Sequence, residues 1–325
     1  MRALVCQKYG LPKDLVLEEK PTPLPGPKEV LVSVKSAAIN FPDTLIIQGR
    51  YQYKPELPFV PGSDLAGIVK TVGVEVKSLK PGDEVFGFVP HGAFAEEVIV
   101  SSAGCFLKPP QMSFDIGASF MMAYGTSYHA LKDRAQIKAG ETLLILGASG
   151  GVGLAAVELG KLMGAHVIAA ASSKEKLEIC KKYGAEELIN YTEEDLKMKI
   201  KELTKGKGVD VVYDPIGGGL AETALRGTAW EGRYLVVGFA AGSIPKIPLN
   251  LPLLKGCQVV GVFWGSFAMK NPKAQLKNTI ELMKMYAKGE LNPYIHRTYP
   301  LAEAPKGLEE MINRKVSGKV IIHMN

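Results

Sequence analysis

Paired cysteines are the first thing this sequence lacks. Its four, Cys6, Cys105, Cys180 and Cys257, lie far apart and form no C-x-x-C pair. Neither a disulfide framework nor a zinc ribbon follows from that spacing, and reduced thiols in a cytoplasmic protein are expected. Long apolar runs are also missing. No segment approaches the roughly 20 apolar residues of a membrane span, and the run opening Met1-Arg-Ala-Leu-Val-Cys is too short for a secretory signal. Clustered charge is the third absence. The formal net charge is +6, but the lysines are dispersed. Their densest group, Lys197, Lys199, Lys201, Lys205 and Lys207, interleaves with Leu196, Ile200 and Leu203 at helical spacing. This is the solvated face of an amphipathic helix, with no nucleic-acid recognition motif. The excess charge can still attract an anionic ligand. At 325 residues the chain exceeds one ordinary core, so two domains are expected.

The most informative segment runs Leu143-Leu-Ile-Leu-Gly147-Ala-Ser-Gly150-Gly151-Val-Gly153 into Leu154-Ala-Ala-Val-Glu-Leu159. It reads as a buried parallel strand, a glycine-rich turn and the start of a helix. Such a turn aims the backbone N–H groups of Ser149, Gly150, Gly151 and Val152 and a helix N-terminus at a pyrophosphate. Gly150 stands where backbone approaches phosphate and Gly153 where helix packs on strand. Ala148 takes the place of the usual first glycine, so the match is a variant. A second strand at 166–171 (His-Val-Ile-Ala-Ala-Ala) supplies the expected context.

From about residue 140 onward, strands and helices alternate as βαβ units. Strands are expected at 143–147, 166–171, 187–190, 209–214, 233–238 and 258–264, and helices at 151–163, 174–182, 193–205 and 219–229. The result is an α/β fold with a doubly wound parallel sheet. The first 110 residues instead show short alternating runs, such as Glu29-Val-Leu-Val-Ser-Val-Lys35 and Ala66-Gly-Ile-Val-Lys-Thr-Val72. Turns such as Pro25-Gly26-Pro27 and Pro81-Gly82-Asp83 separate them, which describes an antiparallel β domain. A helix over 274–288 and a strand over 318–323 return to that domain. The nucleotide domain is therefore an insertion over 123–265, flanked by 1–122 and 266–325, with the cleft between domains as the expected meeting place of nicotinamide and substrate.

In a sheet of this kind an acidic residue about 20 positions after the glycines binds the ribose hydroxyls of NAD. Here the second strand ends Ala171-Ser172-Ser173-Lys174-Glu175-Lys176. The acid is missing, and hydroxyls followed by lysines replace it, so NADPH is the expected cofactor. A capping box from Ser172 to Glu175 is a compatible structural reading of the same residues.

Together with Ala38-Ile-Asn40-Phe-Pro-Asp43, Pro61-Gly62-Ser-Asp-Leu-Ala66-Gly67, Pro81-Gly82-Asp83-Glu-Val85, Asn190-Tyr191 and Val211-Val-Tyr-Asp214, these motifs span essentially the whole chain. They resemble the medium-chain dehydrogenase/reductase superfamily, and within it the zinc-independent, zeta-crystallin-like quinone oxidoreductases. The resemblance implies a GroES-like antiparallel domain beside the Rossmann domain. It implies Lys176 and Tyr191 beside the 2′-phosphate with Ser172 in place of a small residue, and Thr126 near the nicotinamide. It places Gly238, Phe239, Phe263 and Trp264 in the cofactor crevice, with core packing as the alternative for the apolar ones. Asp214 is read either as a ligand contact or as the cap of its own turn.

The zinc alcohol dehydrogenases of the superfamily carry a cysteine near the position of Asn40 and a His-Glu pair after the glycine at Gly62. This chain has Ser63 and Asp64 there, no cysteine between 7 and 104, and no four-cysteine lobe, so no metal is expected. His91, His129 and His296 are isolated. The resemblance puts Asn40, Asp43 and Tyr51 in the substrate site, where Asn40 and Tyr51 are hydrogen-bond donors for a developing oxyanion. Satisfying the turn around Pro42 is the alternative for Asn40 and Asp43, and packing for Tyr51. The implied activity is NADPH-dependent reduction of a quinone. Two others stay open: an enoyl or enone reductase using Tyr51 or Tyr53 as proton donor, and a non-catalytic NADPH- and RNA-binding protein. A homodimer formed by edge pairing along Val259–Trp264 is expected, an internal place in the sheet being the competing reading.

Overall fold

The structure, a computed structural model, describes residues 1–324. It divides into two compact units: Met1–Met122 with the segment from Pro293 onward, and Ala123–Asn292.

The first unit begins with β1 (Arg2–Val5) and β2 (Val16–Glu19), which pair antiparallel. β3 (Glu29–Ile39), the short helix α1 (Phe41–Ile46), β4 (Asp64–Val72), β5 (Glu84–Phe88), β6 (Glu97–Ser101) and β7 (Cys105–Leu107) follow. Val30, Val32 and Val34 alternate along β3 into a core shared with Leu65, Val69, Val85 and Phe94. That is the period-two pattern of a strand packed on a core. Helix α2 (Phe114–Tyr128), continued by a π-helical turn over His129–Arg134, has no counterpart in the strand-based reading of this region.

The second unit contains β8 (Thr142–Leu146), α3 (Gly151–Leu162), β9 (His166–Ala171), α4 (Lys174–Lys182), β10 (Glu187–Asn190), α5 (Leu196–Leu203) and β11 (Val209–Asp214). It continues with α6 (Gly219–Arg226), β12 (Thr228–Val236), α7 (Asn250–Lys255), β13 (Gln258–Gly261), α8 (Trp264–Lys270) and α9 (Pro272–Ala287). Its sheet is parallel throughout, in the order β10-β9-β8-β11-β12-β13. Counted within the unit this is 3-2-1-4-5-6, the doubly wound dinucleotide-binding order, whose direction reverses at β8. Leu143, Leu144, Ile145 and Leu146 are all fully buried, as expected for a strand covered on both faces.

The chain then returns to the first unit with β14 (Ile295–Pro300), α10 (Ala304–Ile312) and β15 (Lys319–His323). β15 pairs antiparallel with β3 and parallel with β14, and the sheet order is β14-β15-β3-β4-β5-β7 with β6 also on β3. One parallel pair thus joins an otherwise antiparallel sheet.

Three details differ from the sequence expectations. The last parallel strand stops at Gly261, and Trp264 begins a helix instead of ending the strand. The fifth strand starts at Thr228, inside the span expected to be helix, because α6 closes at Arg226. Residues 266–292, assigned by sequence to the first domain, belong to the second unit. The reason is a polar seam: Gln275 accepts from the Trp264 indole, Asn278 donates to Asp133, and Glu281 accepts from Tyr128 and Lys132.

Candidate active site

The glycine turn of the second unit is built as its sequence implies. Gly147 follows β8 at φ +57°, a conformation open to glycine at little cost. Gly150 caps α3 in an extended conformation. A Cβ added to Gly153 would lie 2.4 Å from the Gly147 carbonyl oxygen, so only glycine allows this approach of helix to turn. At Gly150 the nearest atom to an added Cβ is 3.4 Å away, which leaves the backbone open to a ligand. Ser149 is buried, and Gly150, Gly151 and Val152 are half-buried. Ser127, not anticipated from sequence, steadies the turn: its hydroxyl donates to the Val152 carbonyl at 2.8 Å and lies 2.9 Å from the buried Tyr213 hydroxyl.

At the carboxyl ends of the adjacent strands β9 and β10, three predicted residues come together. The Lys176 ammonium lies 3.3 Å from the Ser172 hydroxyl, and the Tyr191 backbone N–H donates to the Ala171 carbonyl at 3.2 Å. Thr192, which the sequence reading passed over, reaches the Ser172 carbonyl at 3.3 Å. The helix cap is Ser173, whose hydroxyl accepts from the Lys176 N–H, and not Ser172 as the capping-box reading had it. The Ser172 hydroxyl is thereby left to Lys176.

The remaining second-unit candidates are scattered in role. Thr126 is buried within α2. Gly238 and half-buried Phe239 follow β12, where Phe239 lies against Gly217. Phe263 is 50% exposed, whereas Trp264 is buried against Gly125 with its N–H given to Gln275, so Trp264 serves the core. Asp214 caps its own turn, accepting from the Ile216 and Gly217 N–H groups at 2.8 Å and from the Tyr234 hydroxyl. Burial raises its pKa, and these donors pull it back. Asp214→Ala orphans these donors, each worth about 1–3 kcal/mol when buried. Urea unfolding is expected to show a clear loss of stability, and an unchanged midpoint would return Asp214 to the list of ligand contacts.

In the first unit, Asn40, Asp43, Ser63 and Asp64 converge on one buried polar cluster. The Asp43 carboxylate accepts from the Asn40 backbone N–H at 2.7 Å across the first turn of α1, with the Ser63 hydroxyl 3.4 Å from its other oxygen. The Asn40 amide nitrogen donates to Asp64 at 3.1 Å and faces the Ala38 carbonyl at 3.4 Å. Its oxygen accepts from the ammonium of Lys319, a fully internal lysine that sequence reading did not single out. Asn40 is therefore committed on both sides. Burial pushes Asp43 up to about 7, and it raises Asp64 as well, against the opposing pull of Lys319. Tyr51 is half-buried, and burial together with the Asp43 charge raises its pKa. Tyr53 is differently engaged, its hydroxyl 3.4 Å from His91 Nδ1 and its ring edge-on to the same imidazole.

A GroES-like antiparallel unit and a 3-2-1-4-5-6 Rossmann unit carrying a glycine turn define a two-domain nucleotide-dependent oxidoreductase. Comparisons with known proteins give the family. Residues 26–110 match the alcohol dehydrogenase GroES-like domain, and 151–284 match the zinc-binding dehydrogenase domain. A quinone oxidoreductase-like protein 2 homolog from Nematostella vectensis is 40% identical over 99% of this chain and 88% of its own. The structure of Escherichia coli quinone oxidoreductase complexed with NADPH superposes with a TM-score of 0.93 at 30% identity, covering 99% of this chain and 100% of that one. An NAD-dependent alcohol dehydrogenase structure gives 0.91 at 30% identity, with complete coverage of both chains. The chain belongs to the medium-chain dehydrogenase/reductase superfamily, in its zeta-crystallin-like quinone oxidoreductase branch, and is an oxidoreductase.

The zinc in the name of one matched domain does not fit the residues present. An amide, a hydroxyl and a carboxylate already facing an ammonium are not a zinc donor set, which calls for thiolate, imidazole and unencumbered carboxylate. NADPH does fit, because the open Gly150 backbone, the α3 N-terminus and the Ser172–Lys176 pair match its anionic groups in kind.

Proposed function

We propose that the protein is a zinc-free, NADPH-dependent reductase that delivers hydride to a quinone. The observation that carries this reading is the Ser172–Lys176–Tyr191 grouping at the ends of β9 and β10, with no carboxylate at the end of the second strand. Since both NADPH- and NAD-dependent proteins share this fold, the strand-end residues decide the cofactor. A lysine and two hydroxyls suit a 2′-phosphate, whereas an acid there would repel it. Ser149, Gly151 and Val152 hold the pyrophosphate with backbone N–H groups, and Gly150, whose own N–H is given to the Gly147 carbonyl at 3.0 Å, leaves room for the phosphates to approach, while Thr126, Gly238, Phe239 and Phe263 bound the nicotinamide side.

When bound, NADPH supplies the hydride; the protein orients the partners and excludes water. Reduction of a quinone to its hydroquinone takes up one further proton. We assign Tyr51 as the hydrogen-bond donor to the developing oxyanion: burial and the Asp43 charge keep its phenol protonated, whereas the Tyr53 hydroxyl already faces His91. Asn40 and Asp43 act by holding the site together. Tyr51→Phe is expected to lower kcat by about tenfold or more, up to the 10² typical of a lost oxyanion donor. Tyr53→Phe should leave kcat near that of the parent, and the reverse ranking would assign the role to Tyr53.

An available tyrosine is also what an enone reductase needs to protonate carbon. Initial rates of NADPH oxidation with an ortho-quinone, an enone and an enoyl-CoA separate the two. Fast quinone turnover is expected, and turnover confined to the enone or enoyl-CoA would replace the reading. The lysine face of α5 gives little support to RNA binding, because Lys199 is paired with Glu194 and Glu202. β13 ends the parallel sheet with Val259 exposed, which supports a homodimer joined along that edge. No helix among the described residues is long and apolar enough to cross a membrane, and a cytoplasmic location agrees with that.

A further inference from the structure

Lys319 is the first residue of β15, where a lysine is expected to turn to solvent. Its side chain is instead 6% exposed, and that of Asp64, 3.5 Å from its ammonium, is 1% exposed. The strand itself does not call for a charge, since β15 is held to β3 through its backbone. Burying an ion pair gains little stability over an apolar residue of similar volume, so stability alone does not account for a lysine here, and the arrangement it enforces is the feature to test.

That arrangement is specific. Lys319 donates to Asn40 Oδ1, so the amide nitrogen must face Asp64 and the Ala38 carbonyl. A flipped amide would set its own N–H groups against the ammonium and its oxygen against the Asp64 carboxylate. The Asn40 backbone N–H in turn holds Asp43. One buried cation thus fixes an asparagine that joins both carboxylates of the cluster. The charged and titratable groups facing Asp43 are Asp64, Lys319 and Tyr51, with the Ser63 hydroxyl beside them.

We propose that Lys319 is a positioning residue for the reduction: its ammonium locks Asn40 and Asp64 into one arrangement and thereby sets the orientation and charge of Asp43 beside Tyr51. This rests on the reading that Tyr51 serves the substrate. Lys319 touches no reacting atom and acts through Asn40 and Asp43.

The test compares Lys319→Met, Lys319→Arg and the double variant Lys319→Met/Asp64→Asn, which removes the carboxylate paired with Lys319 together with the ammonium and so guards against simple unfolding. Steady-state quinone reduction, NADPH binding and carboxyl-13C NMR of aspartate-labelled protein are measured on the full chain. Asp43 is expected to titrate at about 7 in the parent. Losing the ammonium removes the influence that lowers this value, so the midpoint moves up in Lys319→Met. kcat should fall by about ten- to hundredfold, as for a misplaced reacting group, with the NADPH dissociation constant unchanged. Lys319→Arg keeps a cation and should hold the midpoint and recover much of kcat; the double variant should fold and stay slow. An unmoved midpoint, an arginine variant as slow as the methionine one, or a double variant with the parent kcat would each overturn the proposal. The NMR titration needs no substrate. Absence of quinone turnover in the parent would therefore sink the quinone reading while still deciding whether Lys319 controls Asp43.

Discussion

Replacing Lys176 with alanine should weaken NADPH binding about ten- to hundredfold while changing NADH binding less than about twofold. The argument begins with what is absent. A carboxylate at the end of β9 would select NAD by holding its ribose hydroxyls, and none is there. The Lys176 ammonium lies 3.3 Å from the Ser172 hydroxyl, on the first turn of a helix capped by Ser173. A phosphate at this place gains a charged hydrogen bond, about 1.5–3 kcal/mol, together with the favourable end of the helix dipole. NADH lacks the phosphate and cannot lose what it never had. Nicotinamide fluorescence titrations measure both constants, and an equal loss for the two cofactors would show that Lys176 supports the fold or the pyrophosphate instead. Ser172→Asp should act in the opposite sense, favouring NADH by placing the missing acid at the strand end.

The second large effect is expected at Gly153. Valine there would drive a Cβ to 2.4 Å from the Gly147 carbonyl oxygen and 2.8 Å from the Ala148 backbone. Both neighbours are backbone, so no side chain can swing aside. Either α3 moves away from β8 or the turn opens, and each disturbs the N–H groups that face the pyrophosphate. Overpacking of this kind costs about 1–3 kcal/mol and sometimes more. The variant should melt lower and bind neither NADPH nor NADH measurably, which distinguishes it from Lys176→Ala. Gly150→Ala is the milder companion: its Cβ meets nothing closer than 3.4 Å in the protein, so the fold should hold while cofactor affinity falls. Parent-like affinity in Gly150→Ala would mean the cofactor does not approach that backbone.

The second unit was largely legible because its signals are local. Continuous apolar runs mark strands covered on both faces, and glycines mark the turns between strand and helix. Ser172 stands out because it follows the second strand where an acid would select NAD; Lys176 and Tyr191 are implied by the family resemblance, and the fold brings the Lys176 ammonium to the Ser172 hydroxyl. The boundary at 265 was missed because nothing in the sequence shows that Gln275 pairs with Trp264, or that Asn278 and Glu281 pair with residues near 130. Trp264 looked like a crevice residue while the strand was thought to reach it; with the strand ending at Gly261 it falls into the core. Lys319 was invisible for a stronger reason. Its partners Asn40 and Asp64 lie 279 and 255 residues away, and no local pattern marks a lysine that points inward.

The most direct test of the account is the rate of quinone reduction with NADPH and with NADH after exhaustive chelation, with metal content measured in the same sample. Full turnover by metal-free enzyme, with NADPH strongly preferred, is the predicted result. Loss of turnover on chelation that zinc restores, or equal use of the two cofactors, would contradict it.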